Sequence, residues 1–182
     1  MRRLFAAIAA NADERSAARA GDDLVVPADV VMDRAYTFDA PPERVWPWLV
    51  QLGKRRAGWY LPRSVERFVP ASRRAVRSVD PRWQGLGVGD VIPDYGGRDE
   101  TFRVAELHAP HVLVYTSQRG RVSVCWSLTL LPVDDGARTR LHLRLTLGPV
   151  RRKWLATTAG ELLDAATIAG MVAGLSERLR TG

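Results

Sequence analysis

One cysteine, Cys125, stands among 182 residues, so no disulfide can form within the chain. That excludes the small domains that use disulfides in place of a core, and it fits a reducing, cytoplasmic setting. Lysine is almost as scarce: Lys54 and Lys153 are the only two, and arginine supplies the rest of the 27 basic side chains. No apolar run approaches the ~20 residues needed to cross a bilayer. The longest, Ala165 to Leu175, is about half that and carries Gly170 and Gly174. No repeat and no low-complexity tract is present. No Gly-x-Ser-x-Gly elbow and no metal-binding histidine spacing occur. Gly85-Leu86-Gly87-Val88-Gly89-Asp90 places Asp90 where a dinucleotide fingerprint needs glycine. Of the three histidines, His108 and His111 flank Ala109-Pro110, and His142 falls among arginines. No catalytic residue, metal or cofactor is therefore expected.

What is present suits a globular domain with a core of its own: 46% of residues are apolar and 26% charged. The basic excess is local. Residues 54–82 hold Lys54, Arg55, Arg56, Arg63, Arg67, Arg73, Arg74, Arg77 and Arg82 against Glu66 and Asp80, an excess equal to the whole net charge of +7. This stretch reads as a solvated face able to make weak contact with an anionic surface. Nucleic acid is not expected as a partner, because Trp59 and Tyr60 are better used in packing.

The start, Met1-Arg2-Arg3 and then Leu4 to Ala12, has the outline of a signal peptide. Its apolar part is barely long enough and mostly alanine, so residues 1–28 read as an N-terminal arm and 29–182 as the domain. Residues 30–38 alternate as a strand, with Arg34 on the face of Met32, Tyr36 and Phe38. Asp39 to Glu43 is a helix start, with proline in the first turn and an acid at the positive end of the dipole. That helix runs to Leu52 through Val45 and Leu49. A second short helix is expected within 59–77. Runs at 90–95, 101–108, 111–118, 122–131 and 138–147, separated by Gly, Pro and Asp, read as a meander. In the last run Leu141, Leu143, Leu145 and Leu147 oppose Arg138, Arg140, His142 and Arg144, which predicts one apolar and one wet face. From Arg151 to Arg180 the period becomes helical, through Leu155, Ala159, Leu162, Ala166 and Ala169, continued by Ile168, Val172, Leu175 and Leu179. Such a helix would be ~42 Å long, with a kink expected near its glycines.

The stretch Asp39-Ala40-Pro41-Pro42-Glu43-Arg44-Val45-Trp46-Pro47-Trp48-Leu49, followed by Gly58-Trp59-Tyr60 and Gly89-Asp90-Val91-Ile92-Pro93, resembles the SRPBCC (START-like, helix-grip) superfamily, in its polyketide cyclase/dehydrase and lipid-transport branch. The resemblance covers residues 24–180. It implies an α+β helix-grip fold: a curved antiparallel sheet wrapped around a long C-terminal helix, with two short helices after the first strand and an apolar cavity between sheet and helix. It carries no catalytic residue across.

Small residues on the last helix, Ala159, Ala166, Ala169, Gly170, Ala173 and Gly174, would leave room for that cavity. Trp59, Tyr60, Tyr115, Trp126 and Met171 are candidates to line it or simply to fill the core. Arg34 must find Glu106, Asp94 or an anionic group of a ligand, because an unpaired buried charge is very costly. Asp94 is the candidate acid. The expected role is binding or carriage of a small hydrophobic metabolite or lipid. One alternative is a cyclase/dehydrase-like enzyme in which Asp94, Tyr115 or Arg34 assists proton transfer. The other is an interaction module using the basic face.

Overall fold

The computed structural model describes residues 6–151 and 153–181 and, of Leu155 and Ala156, the backbone alone. The charged start of the arm, residues 1–5, lies outside the described residues. Six strands form one antiparallel sheet: β1 (Val30–Phe38), β2 (Val91–Pro93), β3 (Thr101–His108), β4 (Val112–Arg119), β5 (Val122–Val133) and β6 (Arg138–Gly148). Their order is β1-β6-β5-β4-β3-β2. The meander runs from β2 to β6, and β6 closes against β1, with Val30 opposite Leu147 and Phe38 opposite Thr139. A bulge between Val104 and Glu106 in β3 bends the sheet. Its concave face carries Phe102, Val104, Leu113, Tyr115, Leu128, Leu130, Leu141 and Leu143, all buried in the main core.

Before β1 comes a short helix, α1 (Ala12–Ser16), capped reciprocally by Asn11 and Glu14. After β1 come α2 (Pro42–Gln51) and α3 (Arg63–Glu66). α2 begins with proline at its first position and presses Val45, Trp48 and Leu49 onto the core. The C-terminal helix starts with one turn, Lys153–Leu155, widens into a π turn over Ala156–Gly160, and continues as α4 (Glu161–Thr181). The expected break near Gly160 is thus a π turn. Ile168, Ala169, Met171, Val172 and Leu175 seat α4 on the concave face, whereas Leu162, Ala159 and Ala166 face outward. The expected inward stripe is therefore correct only in its later half. The glycines also have another use. A Cβ on Gly174 would lie 2.6 Å from the backbone of Leu61. Gly174 thus admits the 59–62 segment close to the helix and does not enlarge the cavity.

The convex face differs from expectation. It is not wet, because residues 6–28 cover it. Ala35 N–H donates to the Ile8 carbonyl at 2.9 Å, so the segment first runs along the β1 edge. It then crosses the sheet. Arg140 donates to Glu14, and Arg144 donates to Asp22, to Asp33 and to the Arg15 carbonyl. His142, expected in solvent, is buried with Nε2 3.1 Å from Asp33 Oδ1. Cys125 packs there with Val25 and Val114, and burial pushes its thiol up to about 11.

Candidate functional site

Between the concave face and the first half of α4 lies a cavity of about 580 Å³. Met32 from β1, Val124 from β5, and Leu145 and Leu147 from β6 form its floor, and Trp126 from β5 stands at the foot of its wall. These are inward positions of strands whose alternate residues face the arm. Phe102, Trp59 and the 94–96 turn form one wall, and Leu163, Asp164, Thr167 and Ile168 of α4 form the roof. The aromatic wall is ordered. Trp126 stacks on Tyr115 with centroids 5.9 Å apart and on Trp59 at 6.2 Å, while Phe102 tilts against it at 6.0 Å. Trp59 Nε1 donates to the Thr167 carbonyl at 3.3 Å, tying this wall to the roof. Beneath the rings is a second space of about 30 Å³ beside Leu49, Leu52 and Tyr115. That is roughly the volume of one water molecule.

Two charged sites interrupt the mostly apolar lining, which also includes Tyr95 and Thr167. On the turn after β2, Asp94 pairs with Arg119, and Asp94 Oδ1 accepts from Tyr95 N–H at 2.6 Å. Lys54 Nζ donates to the carbonyls of Asp94, Gly97 and Arg98 at 3.0, 2.7 and 3.2 Å, which holds the turn from behind. The guanidinium of Arg119 lies over the Phe102 ring at 5.4 Å. On the roof, Asp164 Oδ2 lies 3.0 Å from Arg34 Nε. The two meet as charges without hydrogen-bond alignment, and both atoms are buried without a hydrogen-bond partner among the described residues. Burial pushes the Asp164 carboxyl up to about 6, against the pull of Arg34 and with a further rise from Glu161. No serine, cysteine or histidine lines the cavity among the described residues.

The structure brings Trp59, Asp94 and Trp126 together on the cavity wall. Tyr115 backs that wall from the smaller space. Its hydroxyl is buried without a partner among the described residues, and burial raises its pKa. Tyr60 and Met171 sit in the packed core, and Tyr60 Oη donates to the Trp48 carbonyl at 2.8 Å. Arg34 meets neither Glu106 nor Asp94. Its partners are Asp164, Glu161 and the carbonyls of Asp33 and Glu161, all away from the cavity floor. Sequence reasoning missed Asp164 and Arg119. The available signal was an acid four residues before Ile168, on the same helix face.

No family model matches the chain, and no curated protein matches it. Solved structures do. A protein from Rhodobacter sphaeroides is 19% identical, with 86% of this chain and 96% of that one covered and a TM-score of 0.52. One from Mesorhizobium loti is 17% identical, covering 84% and 98%, at a TM-score of 0.50. DynU16, from the dynemicin biosynthetic locus, is 15% identical over 86% of this chain and 49% of its own length, at 0.52. This chain thus spans about half of DynU16. At these identities the likeness concerns architecture alone, and the chain has a helix-grip fold: a curved antiparallel sheet closed over its C-terminal helix.

Proposed function

We propose that the protein binds and carries a small, mostly apolar molecule in the cavity beneath α4. The observation that supports this reading is the space itself: about 580 Å³ with an aliphatic floor and an aromatic wall. That lies within the ~300–1,000 Å³ typical of small-molecule sites. The space stays open because only the later half of α4 is seated on the sheet. A filled core would have favoured the interaction module.

The test is to fill the floor. Leu145→Trp adds an indole where Leu145 now faces the void. The neutral dye N-phenyl-1-naphthylamine should brighten with the parent protein and bind at least about tenfold more weakly to the variant. Equal binding by a folded variant would place the dye elsewhere and remove this reading.

An enzyme reading has one observation in its favour. Asp164 is a cavity carboxyl whose pKa of about 6 suits proton transfer near neutrality. Asp94 is already bound to Arg119 and the Tyr95 amide.

A further inference from the structure

We infer that Asp164 selects the polar end of the ligand, retaining long-chain amines and alcohols over carboxylates of the same length. This rests on the cavity reading and adds a ligand class to it.

Two carboxylates reach the cavity, and they differ in what they have left to offer. Both oxygens of Asp94 are occupied, Oδ1 by the Tyr95 amide and Oδ2 by Arg119. Asp164 Oδ2 has no aligned hydrogen-bond donor among the described residues, although Arg34 Nε stands 3.0 Å away. Its Oδ2 is sealed against Arg34, so the exposure left to the side chain, 14%, belongs to its other atoms. Arg34 is not part of the cavity wall; it faces a separate groove beside Ile8 and Ala9. Its guanidinium is shared with Glu161 and with the carbonyls of Asp33 and Glu161. A ligand in the cavity therefore meets the acceptor, not the cation behind it.

The charges agree. Asp94 and Arg119 cancel at one wall. At the roof, Arg34 stands against Asp164 and Glu161, leaving one negative charge. The Asp164 oxygen turned away from Arg34 is an acceptor site open to a donor in a nearly apolar space. A hydroxyl or ammonium head would fill it, whereas a carboxylate head would bring like charge to it. Arg119 Nε also lacks a partner among the described residues, but it is buried, and Nη2 is held by Asp94, whose charge offsets that of the guanidinium. Burial holds Asp164 near 6, so it is ionised at pH 7.5.

The chain as a whole carries +7. Nonspecific attraction would therefore favour carboxylates, so a preference for amines has to come from a local site.

Dodecylamine, dodecanol and dodecanoate, each below its aggregation concentration, would compete at pH 7.5 for bound N-phenyl-1-naphthylamine. The amine should displace the dye at about tenfold lower concentration than the carboxylate, with the alcohol between them. Asp164→Asn should shrink that ratio to about threefold or less. Dodecanoate competing as well as the amine overturns the inference in the parent protein alone, whether or not the variant folds. An unchanged ratio in a folded variant overturns it too. If the dye binds and none of the three displaces it, head-group selection falls while the cavity stands. If the dye does not bind, both fall.

Discussion

The two ends of α4 are built on opposite terms. At the C-terminal end Arg178 is fully buried and saturated. Its Nε donates to the Val76 carbonyl at 2.8 Å, Nη1 to those of Gly174 and Leu61 at 2.9 and 3.1 Å, and Nη2 to Glu66 Oε1 at 2.6 Å. The guanidinium also lies 4.8 Å from the Tyr60 ring centroid. In the turns before it Met171, Val172 and Leu175 are fully buried in the core. At the N-terminal end the helix emerges from a π turn, Leu162 and Leu163 are 59% and 70% exposed, and Asp164 Oδ2 lacks an aligned hydrogen-bond donor among the described residues. One end has its polar and apolar demands met from within the chain. The other leaves both kinds of demand open. Stability and recognition are thus separated along one helix, and changes at the two ends should separate in the same way.

The largest effect is expected at the closed end. Arg178→Met keeps an apolar stem but takes a donor from four carbonyls, those of Leu61, Ala75, Val76 and Gly174, and from one oxygen of Glu66. Glu66 keeps Arg77, yet removing one partner of a buried pair typically costs ~3–5 kcal/mol. Urea unfolding should show a loss of that size. Dye affinity, measured below the new transition, should be unchanged. A loss under about 1 kcal/mol would mean that the closed end does not anchor the helix.

Next in size is the pH response of the open end. Asp164 keeps its proton to about 6 in the folded chain and to its ordinary 3.8 in the unfolded one. Between those values the folded state binds more protons, so its stability falls as pH rises from about 4 to 6 and then levels. The gap is worth about 3 kcal/mol. Asp164→Asn has no such proton to lose. Its stability should match the parent near pH 4 and exceed it by up to that amount above pH 6. Glu14, held down to about 2 by Arg140, titrates below this window, and the difference between the two unfolding curves removes the remaining carboxylates. A flat difference would show that Asp164 is solvated.

How much of this was legible in the sequence follows from what each signal measures. The strands were, because Leu141, Leu143, Leu145 and Leu147 alternate with polar neighbours and Gly, Pro and Asp punctuate the runs. Alternation does not say what covers the polar face. Arg140, His142 and Arg144 read as solvated, but they meet Glu14, Asp22 and Asp33 beneath the arm. Charge matched by charge looks the same in one dimension as charge matched by water. The cavity roof was hidden for a different reason. A π turn adds one residue to a helical repeat, about 100° of rotation, so a stripe phased on Ala159 does not carry into α4. Read through that break, Leu162 and Ala166 point inward; beyond it, Asp164 and Ile168 do. Aromatic and acidic residue types were enough to single out Trp59, Trp126 and Asp94 as candidates. Nothing in type alone separates them from Tyr60, which is core.

The smallest effect is the sharpest test of the division. Leu163 and Leu162 are adjacent and both exposed, but only Leu163 lines the cavity; Leu162 borders the groove beside Arg34. Alanine is the better helix former, and little buried area is lost at either site. Both Leu163→Ala and Leu162→Ala should therefore leave stability within about 0.5 kcal/mol of the parent. Dye binding should separate them. Truncating the roof removes apolar contact worth about 1 kcal/mol in the complex, so Leu163→Ala should weaken the dye about fivefold while Leu162→Ala leaves it unchanged. Equal weakening by both would mean that the dye lies on the outer surface of the helix. A stability loss above 1 kcal/mol in Leu163→Ala would mean that the open end, like the closed one, holds the fold together.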